Sequence, residues 1–108
     1  KNSTQTVISN PVLDTTNYLS STESFNLLQN NTVAQDKVAS FIYYQKIGSA
    51  QNLTISQSDV IYAGLTEAQK NVWRSAAIND IVKLVTEGFI QINRQTNDVT
   101  VSAEKVNL

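Results

Sequence analysis

The chain has 108 residues, one tryptophan, no cysteine and no histidine, and its formal net charge is −1. That length suits one domain burying roughly 65% of the surface its unfolded chain exposes. The missing residue types exclude disulfides, thiolate nucleophiles, the common transition-metal ligands and the ordinary neutral-pH acid/base.

A pI near 5.2 supplies no electrostatic drive toward nucleic acid or anionic membrane. No apolar run approaches the roughly 18 residues that would cross a bilayer, so membrane insertion is not expected. Ser, Thr, Asn and Gln make up 43 of the 108 residues, a surface solvated by neutral polar groups rather than by mixed charge. This favours a secreted, cell-surface or virion component. Position 1 is Lys and the sequence contains no Met, which suggests that the numbered chain starts after a processed leader or inside a longer one.

Residues 1–31 read as an extended polar arm. The first 32 residues hold 19 Ser, Thr, Asn or Gln and three charges, Lys1, Asp14 and Glu23. Thr4-Gln5-Thr6-Val7-Ile8 is β-prone, and Pro11 pushes Asn10 out of the helical region. The arm's spaced apolar groups, Val7, Ile8, Val12, Leu13, Tyr18 and Leu19, are too sparse for a core but suit docking along a neighbouring surface, either of its own domain, onto which the arm folds back, or of another subunit. A short helix is expected near 23–29, carrying Phe25 and Leu28 behind a Ser21-Thr22 cap.

Residues 32–108 read as a helical domain. Thr32-Val33-Ala34-Gln35 has capping-box form, Val38, Phe41 and Ile42 fall on one face of the helix it would start, and Gly48 is placed to end that helix in a left-handed C-cap. Of the paired tyrosines Tyr43 and Tyr44, one is expected to pack and one to stay half-exposed. Leu53-Thr54-Ile55 is long enough only for a short strand or extended entry, and Ser56-Gln57-Ser58-Asp59 then caps a short helix ending at Ala63-Gly64.

Thr66-Glu67-Ala68-Gln69 is a second box of T-x-x-Q form, opening a long helix to Glu87. Trp73, Ala77, Ile81 and Leu84 define its main stripe. Ile78, Val82 and Val85 widen it, so this helix is either deeply buried or covered by a partner, and the arm is the expected cover. A break near Arg74-Ser75 is the alternative, since Ser can cap a new helix. Beyond Gly88, Ile90 and Ile92 alternate, as do Val99, Val101 and Ala103 after the Gln95-Thr96-Asn97-Asp98 turn. This predicts a hairpin over about 89–103 with Ile90, Ile92, Val99 and Val101 inward. The expected architecture is mainly α with a C-terminal β-hairpin and an extended polar N-terminal arm.

The order helix, Leu84-Val85-Thr86-Glu87-Gly88-Phe89-Ile90, then hairpin, preceded by a short helix at 57–63, resembles a winged helix-turn-helix over residues 56–103. The resemblance implies a recognition helix presenting Ser75, Asn79 and Lys83 to a DNA groove, with Arg94 in the wing. The segment departs from that pattern in charge: Lys70, Arg74, Lys83 and Arg94 stand against Asp59, Glu67, Asp80, Glu87 and Asp98, whereas specific binding needs several phosphate contacts.

No carboxylate set has Ca-loop spacing, so no metal or cofactor is assigned. Asn2-Ser3-Thr4, Asn30-Asn31-Thr32 and Asn52-Leu53-Thr54 match the glycosylation sequon, a match that arises readily by chance among twelve Asn and eleven Thr. With catalysis left only to carboxylates or a Ser/Lys dyad, the expected function is a non-enzymatic structural or protein-interaction subunit of a virion, filament or surface assembly. Self-association is expected through the arm or through Trp73, Ile78, Val82 and Val85 of the long helix, which otherwise belong to the core, with Trp73 its centre. The alternatives are a winged-helix nucleic-acid binder and a secreted or periplasmic ligand-recognition module.

Overall fold

A computed structural model describes residues 15–102; the arm residues Val7, Ile8, Val12 and Leu13, and Ala103, lie outside these described residues. The protein is mainly helical with a C-terminal antiparallel two-stranded hairpin. Among the described residues four α-helices run α1 (Ser21–Asn30), α2 (Thr32–Tyr43), α3 (Ile55–Ala63) and α4 (Glu67–Thr86), followed by β1 (Ile90–Ile92) and β2 (Val99–Val101). A π-turn (Tyr44–Gly48) and a 3-10 turn (Ser49–Gln51) extend α2.

Polar side chains set where each helix begins, in three cases one or two residues before the sequence expectation. The cap of α1 is Ser20, whose hydroxyl accepts from Glu23 N while the Glu23 carboxylate accepts from Ser20 N. The expected box at Thr32 does not form. Asn31 caps α2 instead, accepting from Ala34 N, and Gln35 turns back to donate to the Leu28 carbonyl. Thr54 and Gln57 form a full box that starts α3 at Ile55, so Leu53-Thr54-Ile55 makes no strand. The Thr66–Gln69 box forms as expected. From it α4 runs for 20 residues without a break at Ser75.

The exit from α4 is a Schellman turn: Gly88 adopts φ 83°, its N–H donates to Val85 O, and Phe89 N donates to Leu84 O. Glycine supplies that left-handed conformation without steric cost. Gly48 does something different from the expected left-handed cap. Its φ is −60°, and Asn52 takes the positive φ of 61° instead. A Cβ on Gly48 would stand 2.7 Å from Ser58 Oγ and 2.9 Å from Ser58 Cβ, so this glycine is a contact point between the end of α2 and α3. Gly48→Ala gains about 0.5–1 kcal/mol of helix propensity but meets an overpacking cost of about 1–3 kcal/mol. A net loss of about 1 kcal/mol or more is expected in urea unfolding, largely recovered by adding Ser58→Gly.

The core lies between α2 and α4. Ala34, Val38, Phe41 and Ile42 of α2 meet Ala77, Ile81, Leu84 and Val85 of α4, with Leu28, Tyr62, Ile90 and Ile92 closing the ends. α1 packs along α4 and α3 along α2. Trp73 is half-buried, its ring 5.2 Å from that of Tyr43 in an edge-on contact. The width of the α4 stripe resolves three ways: Val85 is buried in the core, Ile78 packs partly against it, and Val82 is 43% exposed.

The expected hairpin forms, with Ile90 opposite Val101 and Ile92 opposite Val99. Its turn is held by Asn93, whose side-chain oxygen accepts from Gln95 N and Thr96 N, with Asn97 at φ 63°. Residues preceding α1 add to β1's other edge: Tyr18 bridges Asn93, Leu19 N donates to Ile92 O, and Arg94 N donates to Asn17 O.

Candidate functional sites: two polar clusters and an open groove

The first cluster ties α2, α3 and α4 together. Asp36 of α2 accepts from Arg74 Nε at 2.6 Å and from Arg74 Nη2 at 3.0 Å, a two-pronged pair. Its Oδ1 also accepts from the Tyr62 hydroxyl at 2.8 Å. The remaining arm of Arg74 donates to Glu67 and Asn71, and Lys70 approaches Glu67 at 3.9 Å. Arg74's side chain is only 12% exposed, the most desolvated cation among the ion pairs of the described residues.

Partial burial pushes the Asp36 carboxyl up, but the hydrogen bonds from Arg74 and Tyr62 outweigh it and hold the group below its ordinary value. Burial and the Asp36 hydrogen bond push the Tyr62 hydroxyl up. A carboxylate with both oxygens engaged and a lowered pKa is a weak proton acceptor. The cluster is therefore suited to holding helices in register rather than to proton transfer.

The second cluster ties the segment before α1 to the hairpin. Arg94 Nη2 and Nη1 donate to the two Glu23 oxygens at 2.6 and 2.9 Å. Its Nε donates to Thr15 O and Nη2 also to Tyr18 O. Arg94's hydrogen bonds are the main cause holding Glu23 at about 2, well below its ordinary 4.5. Because the folded value is the lower one, the clamp contributes stability above about pH 4.5 and loses it as pH falls toward 2. Protection of the residue 17–20 amides, relative to their intrinsic exchange rates, is expected to fall over that interval in the native chain, and to be low already at pH 7 in Arg94→Ala.

The third feature is a groove enclosing 380 Å³ between α2, the start of α3 and β2. Phe41, Ile55, Val99 and Val101 make up its apolar lining, and Asp36, Lys37, Ser40 and Asp59 its polar lining. Asp59 Oδ1 accepts from the Ser40 hydroxyl at 2.6 Å. Lys37 reaches across from α2 to Asp98 in the hairpin turn, 4.0 Å away.

Of the expected nucleic-acid residues, Ser75, Asn79 and Lys83 are all exposed on α4. Arg94 is not with them, being bound to Glu23, Thr15 and Tyr18. Of the expected arm contacts, Tyr18 and Leu19 are half-buried against their own hairpin and core. The Asp36–Arg74 pair and the Arg94 clamp had no local signature, because their members are 38 to 79 residues apart, and the groove draws its lining from three separate elements. Among the described residues no group of three or more acids is placed to hold a metal, and no helix is long and apolar enough to cross a membrane. No family model, no curated protein and no solved structure matches the chain.

Proposed function

We propose that the chain is a non-enzymatic structural or protein-interaction subunit of a larger assembly, a virion, filament or cell-surface component. The observation that carries this reading is how the polar side chains are used. Asp36, Arg74, Glu23, Arg94, Ser40 and Asp59 are engaged with one another inside the domain, while an apolar groove beside β2 stays open. Large apolar side chains also face solvent, among them Val33, Val60 and Val72 at 67%, 73% and 67% exposure. Such surfaces bind protein more readily than they perform chemistry. The neutral polar composition fits the same setting. The reading is tested by sedimentation of the chain over a wide concentration range, with concentration-dependent association expected.

The second reading, a nucleic-acid binder, draws on Ser75, Asn79 and Lys83 sharing an exposed face of α4. Asp80 and Glu87 flank Lys83 in sequence, and Arg94 is taken up by Glu23. Affinity for duplex DNA at low salt, weakened by Lys83→Ala, would support it. No binding under those conditions would remove it.

A further inference from the structure

The hairpin leaves one edge open. Asn93 N donates to Asp98 O and Ser102 N to Phe89 O, so in the antiparallel alternation Thr100 turns its backbone groups to β1 while Val99 and Val101 turn theirs outward. β1 has neighbours on both sides, β2 and the segment around Tyr18. Among the described residues, nothing pairs with the outward N–H and C=O groups of Val99 and Val101. This free edge borders the groove lined by Phe41 and Ile55. Unpaired strand groups beside an apolar trough are what strand addition uses: main-chain hydrogen bonds supply affinity, and the trough takes alternate side chains.

We propose that this edge accepts residues 4–8 of the N-terminal arm of a second copy, added as a strand with alternate side chains lowered toward Phe41 and Ile55. The proposal rests on the assembly reading above and names the contact that would build it. Three observations select this occupant. Thr4, Thr6 and Ile8 are β-branched at the period-2 spacing of one strand face. Residues 2–13 carry no charge, so nothing in the incoming segment repels Asp36 or Asp59 in the groove's polar lining or requires an ion to be desolvated.

The third observation is where the arm departs. Thr15 O is held by Arg94 at the edge of the sheet opposite β2. To reach the β2 edge of its own chain, the segment 9–14 would have to cross about 15 Å, three strand spacings, round the hairpin turn and reverse direction, on a span of about 20 Å when fully extended. A neighbour's arm needs no such reversal. The departing and accepting edges are different surfaces, so two copies can exchange arms in a closed dimer or pass them head-to-tail into a ring or filament.

The test measures amide exchange at Val99 and Val101 together with solution mass, for the full chain and for the full chain carrying Val7→Asp and Ile8→Asp. In the unsubstituted chain, exchange at both amides is expected to slow at least tenfold as concentration rises and mass increases. In the double variant both amides should exchange fast at all concentrations, and a synthetic peptide of residues 1–14 should restore their protection. Equal exchange rates in the two proteins would overturn the proposal, as would slow exchange in a strict monomer, which would place the arm on its own chain. If the unsubstituted chain assembles while Val99 and Val101 still exchange fast, this contact is wrong while the assembly reading stands. A full chain that is monomeric with both amides fast removes both.

Discussion

Phe41→Ala is expected to lower the stability of the domain by about 3–4 kcal/mol, the largest effect of any single substitution considered. Phe41 is 1% exposed in the middle of α2, its ring centroid is 6.0 Å from that of Phe89, and it also forms part of the groove floor. Truncation therefore removes the contact that seats the start of the hairpin on α2. The residual cavity would open toward the groove, where water can enter, which places the cost in the lower part of the range for buried Phe. Set against a total of roughly 5–15 kcal/mol for a small domain, the loss is a large fraction of what holds the protein folded. Phe41→Leu keeps most of the volume and is expected to cost less than about 1.5 kcal/mol. Urea titrations with unchanged slopes check both values.

The second large effect is expected at Asp36. Asp36→Ala removes the acceptor for two Arg74 donors and for the Tyr62 hydroxyl, leaving a guanidinium that is 12% exposed without its main partner. Removing one member of a fully buried pair costs about 3–5 kcal/mol. Asp36's side chain is 32% exposed and Arg74 retains Glu67 and Asn71, so water and those partners reduce the expected loss to about 2–3 kcal/mol. Tyr62→Phe deletes one donor and leaves the ion pair, and about 1 kcal/mol is expected. The folded pKa of Asp36 lies below its ordinary 3.8. Its contribution is thus fully present above that value and disappears as pH falls through the lower one. The stability gap between native and Asp36→Ala proteins should therefore close in acid. A gap unchanged from pH 7 to pH 2 would contradict the ionic account of this cluster.

The parts of the fold that were legible in the sequence are those governed by neighbours in the chain. The Thr66–Gln69 box and the alternation of Ile90, Ile92, Val99 and Val101 each act over a few residues, and each appears as expected. The starts of α1, α2 and α3 shifted because runs such as Ser20-Ser21-Thr22 and Asn30-Asn31-Thr32 offer adjacent residues with equal capping chemistry. Tertiary packing then chooses among them.

Gly48 carried a local signal with two physical meanings, left-handed backbone or close approach, and only the position of Ser58 distinguishes them. Arg94 looked like a basic wing residue because its partner Glu23 lies 71 positions away. The groove was least legible of all, since it exists only where α2, α3 and the outer edge of β2 converge.

The domain's polar side chains hold it together, and its open apolar surfaces are proposed to serve assembly. Sedimentation equilibrium of the chain at neutral pH across micromolar to millimolar concentration tests that proposal most directly. Association that raises the average mass above the 11.9 kDa of one chain is the predicted result. A single species of 11.9 kDa at every concentration would contradict it.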